Sequence, residues 1–88
     1  MNISGNRYNA IGNEIWVSFM DYVATIKSHF CKNGVMMWCV IFSKGGEYNQ
    51  ESKLIYCTTL EDAFNLIEHY SKYINFDDLM NKLNKDYQ

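Results

Sequence analysis

Residues 35–42, VMMWCVIF, form an uninterrupted apolar run in the middle of the chain. The run is rich in residues that favour strands, and its apolar side chains occupy both alternating sets of positions. A strand with this pattern has to be covered on two faces. We therefore predict that residues 35–42 form the central strand of a small sheet, and that the rest of the chain is arranged to cover it.

A second strand is predicted at residues 53–59, KLIYCTT, after the polar stretch 43–52. The two strands would pair as a hairpin, either with a tight turn at Gly45-Gly46 or with a projecting contact loop. Two strands alone do not make a stable sheet in water. The hairpin therefore requires helices over it, or a third strand from the N-terminal arm or from a second copy of the chain.

Two helices are predicted after the hairpin. Thr58 and Thr59 lie three residues before Glu61 and Asp62, which is the spacing of a capping box. Apolar residues then recur at helical spacing, namely Leu60, Ala63, Phe64, Ile67, Tyr70 and Ile74. A further helix is indicated by Asn75 as its cap, by acidic residues in its first turn, and by apolar residues at Phe76, Leu79, Met80 and Leu83.

The segment between Asn13 and Asn33-Gly34 is predicted to be one amphipathic helix of about 19 residues, or about 28 Å. Asn13 can cap its start, and Gly34 can end it in a left-handed conformation. Its apolar positions are Ile15, Phe19, Tyr22, Val23, Ile26 and Phe30. The β-branched and aromatic content of residues 14–20 leaves a strand open as the alternative. Residues 1–13 are predicted to be an irregular arm with room for a short strand at Arg7–Ile11.

The predicted fold is therefore α+β, in the order helix, β-hairpin, helix, helix (αββαα), with the sheet completed by the N-terminal arm or by dimerisation. With 88 residues the chain has room for one domain. We assign residues 1–13 to the arm and residues 14–88 to that single domain.

Charge and cysteine content limit the partners and the compartment. The formal charge is −2, so no overall positive field is available to hold a nucleic-acid backbone. Residues 60–88 carry six acidic residues against three lysines, and a basic partner would suit that surface. Three cysteines and no export signal favour the cytoplasm. The central apolar run is far shorter than the ~20 residues of a membrane span, so no membrane association is expected.

No set of catalytic or cofactor-binding residues stands out. Cys31, Cys39 and Cys57 are too far apart for zinc knuckles, and His29 points away from Cys31 on a helix. Gly45-Gly46 is not followed by the Lys-Ser or Lys-Thr of a phosphate loop. Paired acids at helix starts are explained by the helix dipole. We therefore expect no enzyme activity, no cofactor and no metal.

Aromatic residues are the one excess, with seven Tyr, five Phe and two Trp. Tyr48 lies in a polar loop where burial is not the default, and Tyr is enriched where binding energy concentrates. We predict two contact surfaces, the hairpin loop and the outer acidic face of the last two helices. The partner-binding residues predicted are Lys44, Glu47, Tyr48, Glu51, Glu61, Asp62, Glu68 and Asp78.

The leading hypothesis is a small cytoplasmic protein that binds and modulates a larger protein or nucleoprotein, with inhibition as the expected effect. By analogy of size, acidity and lack of a catalytic set, it would act like phage-encoded inhibitors of host defence or bacterial immunity proteins. The first alternative is a nucleic-acid-binding regulatory module that uses Lys44, Lys53 and Tyr48 of the hairpin. The second is a self-associating structural protein whose sheet is completed in a homodimer.

Overall fold

The computed structural model describes residues 7–11, 14–30, 33–44 and 52–87, apart from the side chains of residues 7–11, 29 and 30. Within these residues five strands come first and two helices follow. The strands are β1 (Arg7–Ile11), β2 (Glu14–Ser18), β3 (Val23–Phe30), β4 (Met36–Ser43) and β5 (Lys53–Cys57). The helices are α1 (Leu60–Tyr70) and α2 (Phe76–Asp86). The α+β class is confirmed.

The strands form one antiparallel meander in the order β1-β2-β3-β4-β5. β4 is an inner strand, as predicted, and Cys39–Ser43 are buried on both of its faces. The short strand that the sequence allowed at Arg7–Ile11 is β1, which pairs with β2. It extends the sheet at the edge farthest from β5, not beside the β4–β5 hairpin.

The predicted order αββαα is wrong at its first element. Residues 14–30 form the β2–β3 hairpin and not a helix. Val17 is buried between more exposed neighbours, and Ile15 on the same side of β2 packs against the core. The strand alternative for residues 14–20 describes this segment better. Gly34 does have a positive φ, of 78°, but it lies in the β3–β4 connection and not at a helix end.

The helix prediction was wrong because the apolar residues of this segment fit a helical period and a strand period at the same time. Ile15, Tyr22 and Ile26 have helical spacing, yet they pack into the core from two strands and the turn between them. The turn is tight, because the Phe19 N–H donates to the Tyr22 carbonyl at 2.9 Å. As a hairpin, the segment gives β4 a long neighbour on its second side, and all eight residues of β3 pair with β4.

Both helices pack on one face of the sheet. The core between the layers contains strand residues with period two and helix residues with helical spacing. The strands and the β2–β3 turn contribute Val17, Tyr22, Ala24, Ile26, Val40, Phe42 and Ile55, and the helices contribute Ala63, Ile67, Tyr70, Phe76, Leu79 and Leu83. Aromatic rings meet at its centre, where Tyr22 lies 6.2 Å from Phe42 and 6.3 Å from Phe76, measured between ring centroids.

The helix starts agree with the sequence signals. Thr59 caps α1, with its hydroxyl accepting a hydrogen bond from the Asp62 N–H at 3.0 Å. Asn75 caps α2 and accepts from both Asp77 and Asp78. Residues 71–75 separate the two helices.

Candidate interaction surface

Among the described residues no helix packs on the opposite face of the sheet, and we call it the helix-free face. Strand alternation places two cross-strand rows of side chains on it. One row runs Trp16, Thr25, Ile41, Leu54, and the other runs Glu14, Lys27, Cys39, Tyr56. On the inner strands Thr25, Ile41 and Cys39 are buried, whereas Trp16, Leu54 and Tyr56 are 36%, 51% and 50% exposed. The centre of this face is therefore buried, with Trp16 exposed on one side of it and Leu54 and Tyr56 exposed on the other.

Trp16 is held in position by charged neighbours on the same face. Its indole Nε1 donates to Glu14 Oε2 at 2.9 Å, and Lys27 Nζ contacts Glu14 Oε1 at 2.9 Å. The hydrogen bond from Lys27, followed by the one from Trp16, holds the pKa of Glu14 below its ordinary value. Glu14 therefore stays ionised at neutral pH and fixes the indole ring. Glu14, Trp16 and Lys27 were not among the site residues predicted from the sequence.

The predicted acidic face lies on the other side of the molecule. Glu61, Asp62, Glu68 and Asp78 are all exposed on the helix layer. Glu61 and Glu68 are seven residues apart on α1 and share one side of it. Asp62 and Asp78 lie in the first turns of their helices, where a carboxylate stabilises the helix dipole. Asp62 also accepts a hydrogen bond from the Thr58 hydroxyl at 3.4 Å. The four acids do not form one surface with the helix-free face.

The predicted loop residues are placed only in part. Lys44 is exposed directly after β4 and lines a shallow depression at the β2–β3 turn, together with Ser18, Phe19, Met20, Asp21, Tyr22 and Val23. Glu47, Tyr48 and Glu51 lie outside the described residues. Lys53, the other lysine of the hairpin, donates from Nζ to the Tyr87 carbonyl at 2.9 Å. Because Tyr48 lies outside the described residues, the predicted use of Lys44, Lys53 and Tyr48 together stays a prediction.

The cysteines have the environment of packing residues. Cys39 faces the helix-free side of β4 and Cys57 faces the core from β5, because Cys39 lies opposite Tyr56 and Trp38 lies opposite Cys57 in the β4–β5 register. Both thiols are free, and burial raises the pKa of each. Cys31 and the His29 side chain lie outside the described residues. In the described ranges no three His, Cys, Asp or Glu side chains come together as a metal site.

A sequence signal for the helix-free face was present at residues 14–18. Glu14, Trp16 and Ser18 alternate with Ile15 and Val17, which is the pattern of a strand with one buried face. The same alternation at residues 53–57 places Leu54 and Tyr56 together on one face. The pattern could not show that β2 and β5 belong to the same sheet, because that depends on the β2–β3 turn.

No protein-family model, no curated protein and no solved structure matches this chain. Within the described residues, neither helix has the length and apolar character needed to cross a bilayer.

Proposed function

We propose that this protein is a small non-enzymatic binding protein, which binds and inhibits a larger macromolecule through the helix-free face. The observation that carries the proposal is the Trp16–Glu14–Lys27 arrangement. A large aromatic side chain is partly exposed there on strand β2 and is held by a hydrogen bond to an ion-paired carboxylate. Such residues often provide much of the binding energy of a protein interface.

Preorganisation makes this tryptophan a good contact group. An exposed side chain that is already fixed loses less conformational freedom when a partner binds. Leu54 and Tyr56 extend the apolar area toward the other edge of the sheet. A matching partner would present a shallow apolar surface, with a polar group near the Glu14–Lys27 pair.

The acidic residues of α1 and α2 have a secondary role in this proposal. Glu61 and Glu68 are exposed on the opposite layer, so they would steer a basic partner toward the protein without forming the main contact. Their replacement should slow association at low salt and leave the dissociation rate almost unchanged. Replacement of Trp16 should increase the dissociation rate.

A single-stranded nucleic acid is the second candidate ligand. One observation favours it, namely that Trp16 and Tyr56 share a sheet face on which bases could stack. The charges favour a protein partner, because Lys27 is paired with Glu14 and Lys53 binds the Tyr87 carbonyl. The two candidates differ in salt dependence, which is steep for nucleic acid.

Site-specific photo-crosslinking tests the proposal. A photoreactive phenylalanine analogue is placed at Trp16, at Leu54, at Glu68 or at Met20, which is 96% exposed at the β2–β3 turn and serves as the control. Each protein is expressed in the source cell, irradiated with and without nuclease treatment, and analysed by mass spectrometry. The activity of any captured macromolecule is then measured with and without the purified protein.

The proposal predicts one partner, different from this chain itself, captured from positions 16 and 54 after nuclease treatment, with little capture from position 20, and a loss of that partner's activity on binding. Capture mainly from position 68 would show that the partner binds the acidic helices, and it would contradict the proposal. Nucleic acid crosslinked at positions 16 and 54 would establish the second candidate instead.

A further inference from the structure

β5 forms one edge of the sheet, since β4 is its neighbour on one side and no described strand lies on the other. Edge strands of natural proteins commonly carry charges that prevent pairing with other strands. The one charged residue of β5 is Lys53, at its first position, and its ammonium group donates to the Tyr87 carbonyl. The rest of the strand, Leu54–Cys57, is uncharged, and two of its side chains are half exposed on the helix-free face.

We propose that two copies of the chain pair through β5, in antiparallel orientation about a two-fold axis. This inference does not depend on the proposed function, because it concerns the isolated protein. A two-fold interface requires a surface that is complementary to itself. An antiparallel edge strand meets this requirement for its backbone, since each copy presents the same N–H and C=O groups to the other.

The side chains of β5 select one register. If Ile55 lies on the axis, all five residues of β5 are paired, with Leu54 opposite Tyr56 of the second copy and Lys53 opposite Cys57. Directly opposed residues lie on the same face of an antiparallel sheet, so Leu54 and Tyr56 of the two copies meet on the helix-free face. An aliphatic–aromatic pair of this kind stabilises a sheet, and it occurs twice by symmetry.

No like charges oppose one another in this register. Lys53 faces a cysteine of the second copy and not another lysine. Any register centred on a residue places that residue opposite itself, but registers centred on Leu54 or Tyr56 would also leave part of β5 unpaired and would lose the Leu54–Tyr56 pair. The register centred on Ile55 is therefore the one that both the backbone and the side chains favour.

The dimer would join two five-stranded sheets into one. The row Trp16, Thr25, Ile41, Leu54 would continue across the axis into Tyr56, Cys39, Lys27 and Glu14 of the second copy. The two helix-free faces would form one continuous surface with a Trp16 near each end. The helices of both copies would lie on the same side, because the axis is perpendicular to the sheet.

Paired charges at positions 54 and 56 test both the interface and its register. In Leu54→Lys/Tyr56→Lys, each introduced lysine faces a lysine of the second copy. In Leu54→Lys/Tyr56→Glu, each introduced lysine faces a glutamate. The control is Met20→Lys, which adds a lysine at a fully exposed site on the β2–β3 turn. Masses are measured by sedimentation equilibrium and light scattering up to about 100 µM, which is sufficient for a micromolar dimer.

We expect the wild type and Met20→Lys to approach twice the 10.4 kDa chain mass. The Lys/Lys variant should dissociate at least about tenfold more readily, and the Lys/Glu variant should recover dimerisation. Circular dichroism and thermal melting identify any variant that fails to fold. A monomeric wild type would overturn the proposal, and so would a dimer unaffected by the Lys/Lys change. If the Lys/Glu variant folds but remains as monomeric as Lys/Lys, the Ile55-centred register is wrong.

Discussion

The Asp21 carboxylate accepts a hydrogen bond at 2.8 Å from the backbone N–H of Phe76, which is 55 positions later in the chain. Phe76 is the first residue of α2, and its N–H has no acceptor within the helix. Next to this contact, the Tyr22 hydroxyl donates to the Tyr73 carbonyl at 2.6 Å. The β2–β3 turn thus forms hydrogen bonds with the segment that connects the two helices. These bonds hold the helix layer against the β2–β3 hairpin, which the sequence periodicity predicted to be a helix.

Replacing Asp21 should therefore destabilise the whole protein. Asp21→Ala leaves the part-buried Phe76 N–H without its acceptor and removes a favourable charge at a helix start, so we expect a loss of about 1–3 kcal/mol in the free energy of unfolding. Asp21→Asn keeps an acceptor and should lose less. Urea unfolding followed by circular dichroism measures both. The control is Asp77→Ala, which removes a first-turn carboxylate but leaves the Phe76 contact intact. An equal loss in the control would mean that helix-dipole charge alone explains the effect.

Alkaline pH should unfold the protein partly through Tyr22. Burial raises the pKa of Tyr22 from 10.0 to about 12. Between these pH values the tyrosine of the unfolded chain ionises while that of the folded protein keeps its proton. The contribution of Tyr22 to the free energy of unfolding is therefore fully present below pH 10 and is lost as the pH rises toward 12. The slope is at most about 1.4 kcal/mol per pH unit for one tyrosine. Urea unfolding from about pH 9 to pH 11 measures it.

Tyr22→Phe isolates the contribution of Tyr22 to this pH dependence. The variant loses the bond to the Tyr73 carbonyl and should be about 1 kcal/mol less stable at neutral pH. Its stability should also fall less steeply above pH 10. Part of the dependence should remain, because burial and the hydrogen bond to Asp86 also raise the pKa of Tyr70. Identical slopes in both proteins would contradict the assignment to Tyr22.

The cap of α2 should contribute a measurable part of the stability. Asn75 Oδ1 accepts hydrogen bonds from Asp77 N–H at 2.9 Å and Asp78 N–H at 3.2 Å. We expect Asn75→Ala to cost about 1 kcal/mol and Asn75→Ser to recover most of it, because serine is also a good N-cap residue. Thermal unfolding of the two variants gives the comparison. If serine were no better than alanine, side-chain capping at this position would be unimportant.

The Trp16 indole should report the ionisation of Glu14. Since the pKa of Glu14 is lowered, the indole Nε1–H resonance should titrate below pH 4.5, the ordinary value for a glutamate. The contribution of the Glu14 contacts to stability should be present at neutral pH and be lost as pH falls through that lowered pKa. Nitrogen–proton correlation spectra of the wild type and Glu14→Gln measure this. The Trp38 indole in the same spectra serves as the internal reference, and an unchanged Trp16 titration in Glu14→Gln would contradict the prediction.

The elements that sequence predicted correctly are those whose signals are local. The caps at Thr59 and Asn75 lie beside the apolar periods they introduce, and the apolar run at residues 35–42 indicates a strand covered on both faces without reference to its neighbours. Residues 14–30 lack such a signal. Their apolar positions satisfy a helical period and a strand period together, so burial against β4 and the helix contacts of Asp21 and Tyr22 decided between the two.

The candidate surface was decided by tertiary structure for the same reason. Sequence alone indicated an excess of aromatic residues, a weak acidity and no catalytic pattern, and from these it predicted a binding protein. It could not place Trp16, Leu54 and Tyr56 on one face, because residues on β2 and β5 become neighbours on a face only after strands β3 and β4 are inserted between them in register. Local patterns determine which side chains alternate along a strand, whereas pairing over long sequence separations determines which strands share a face.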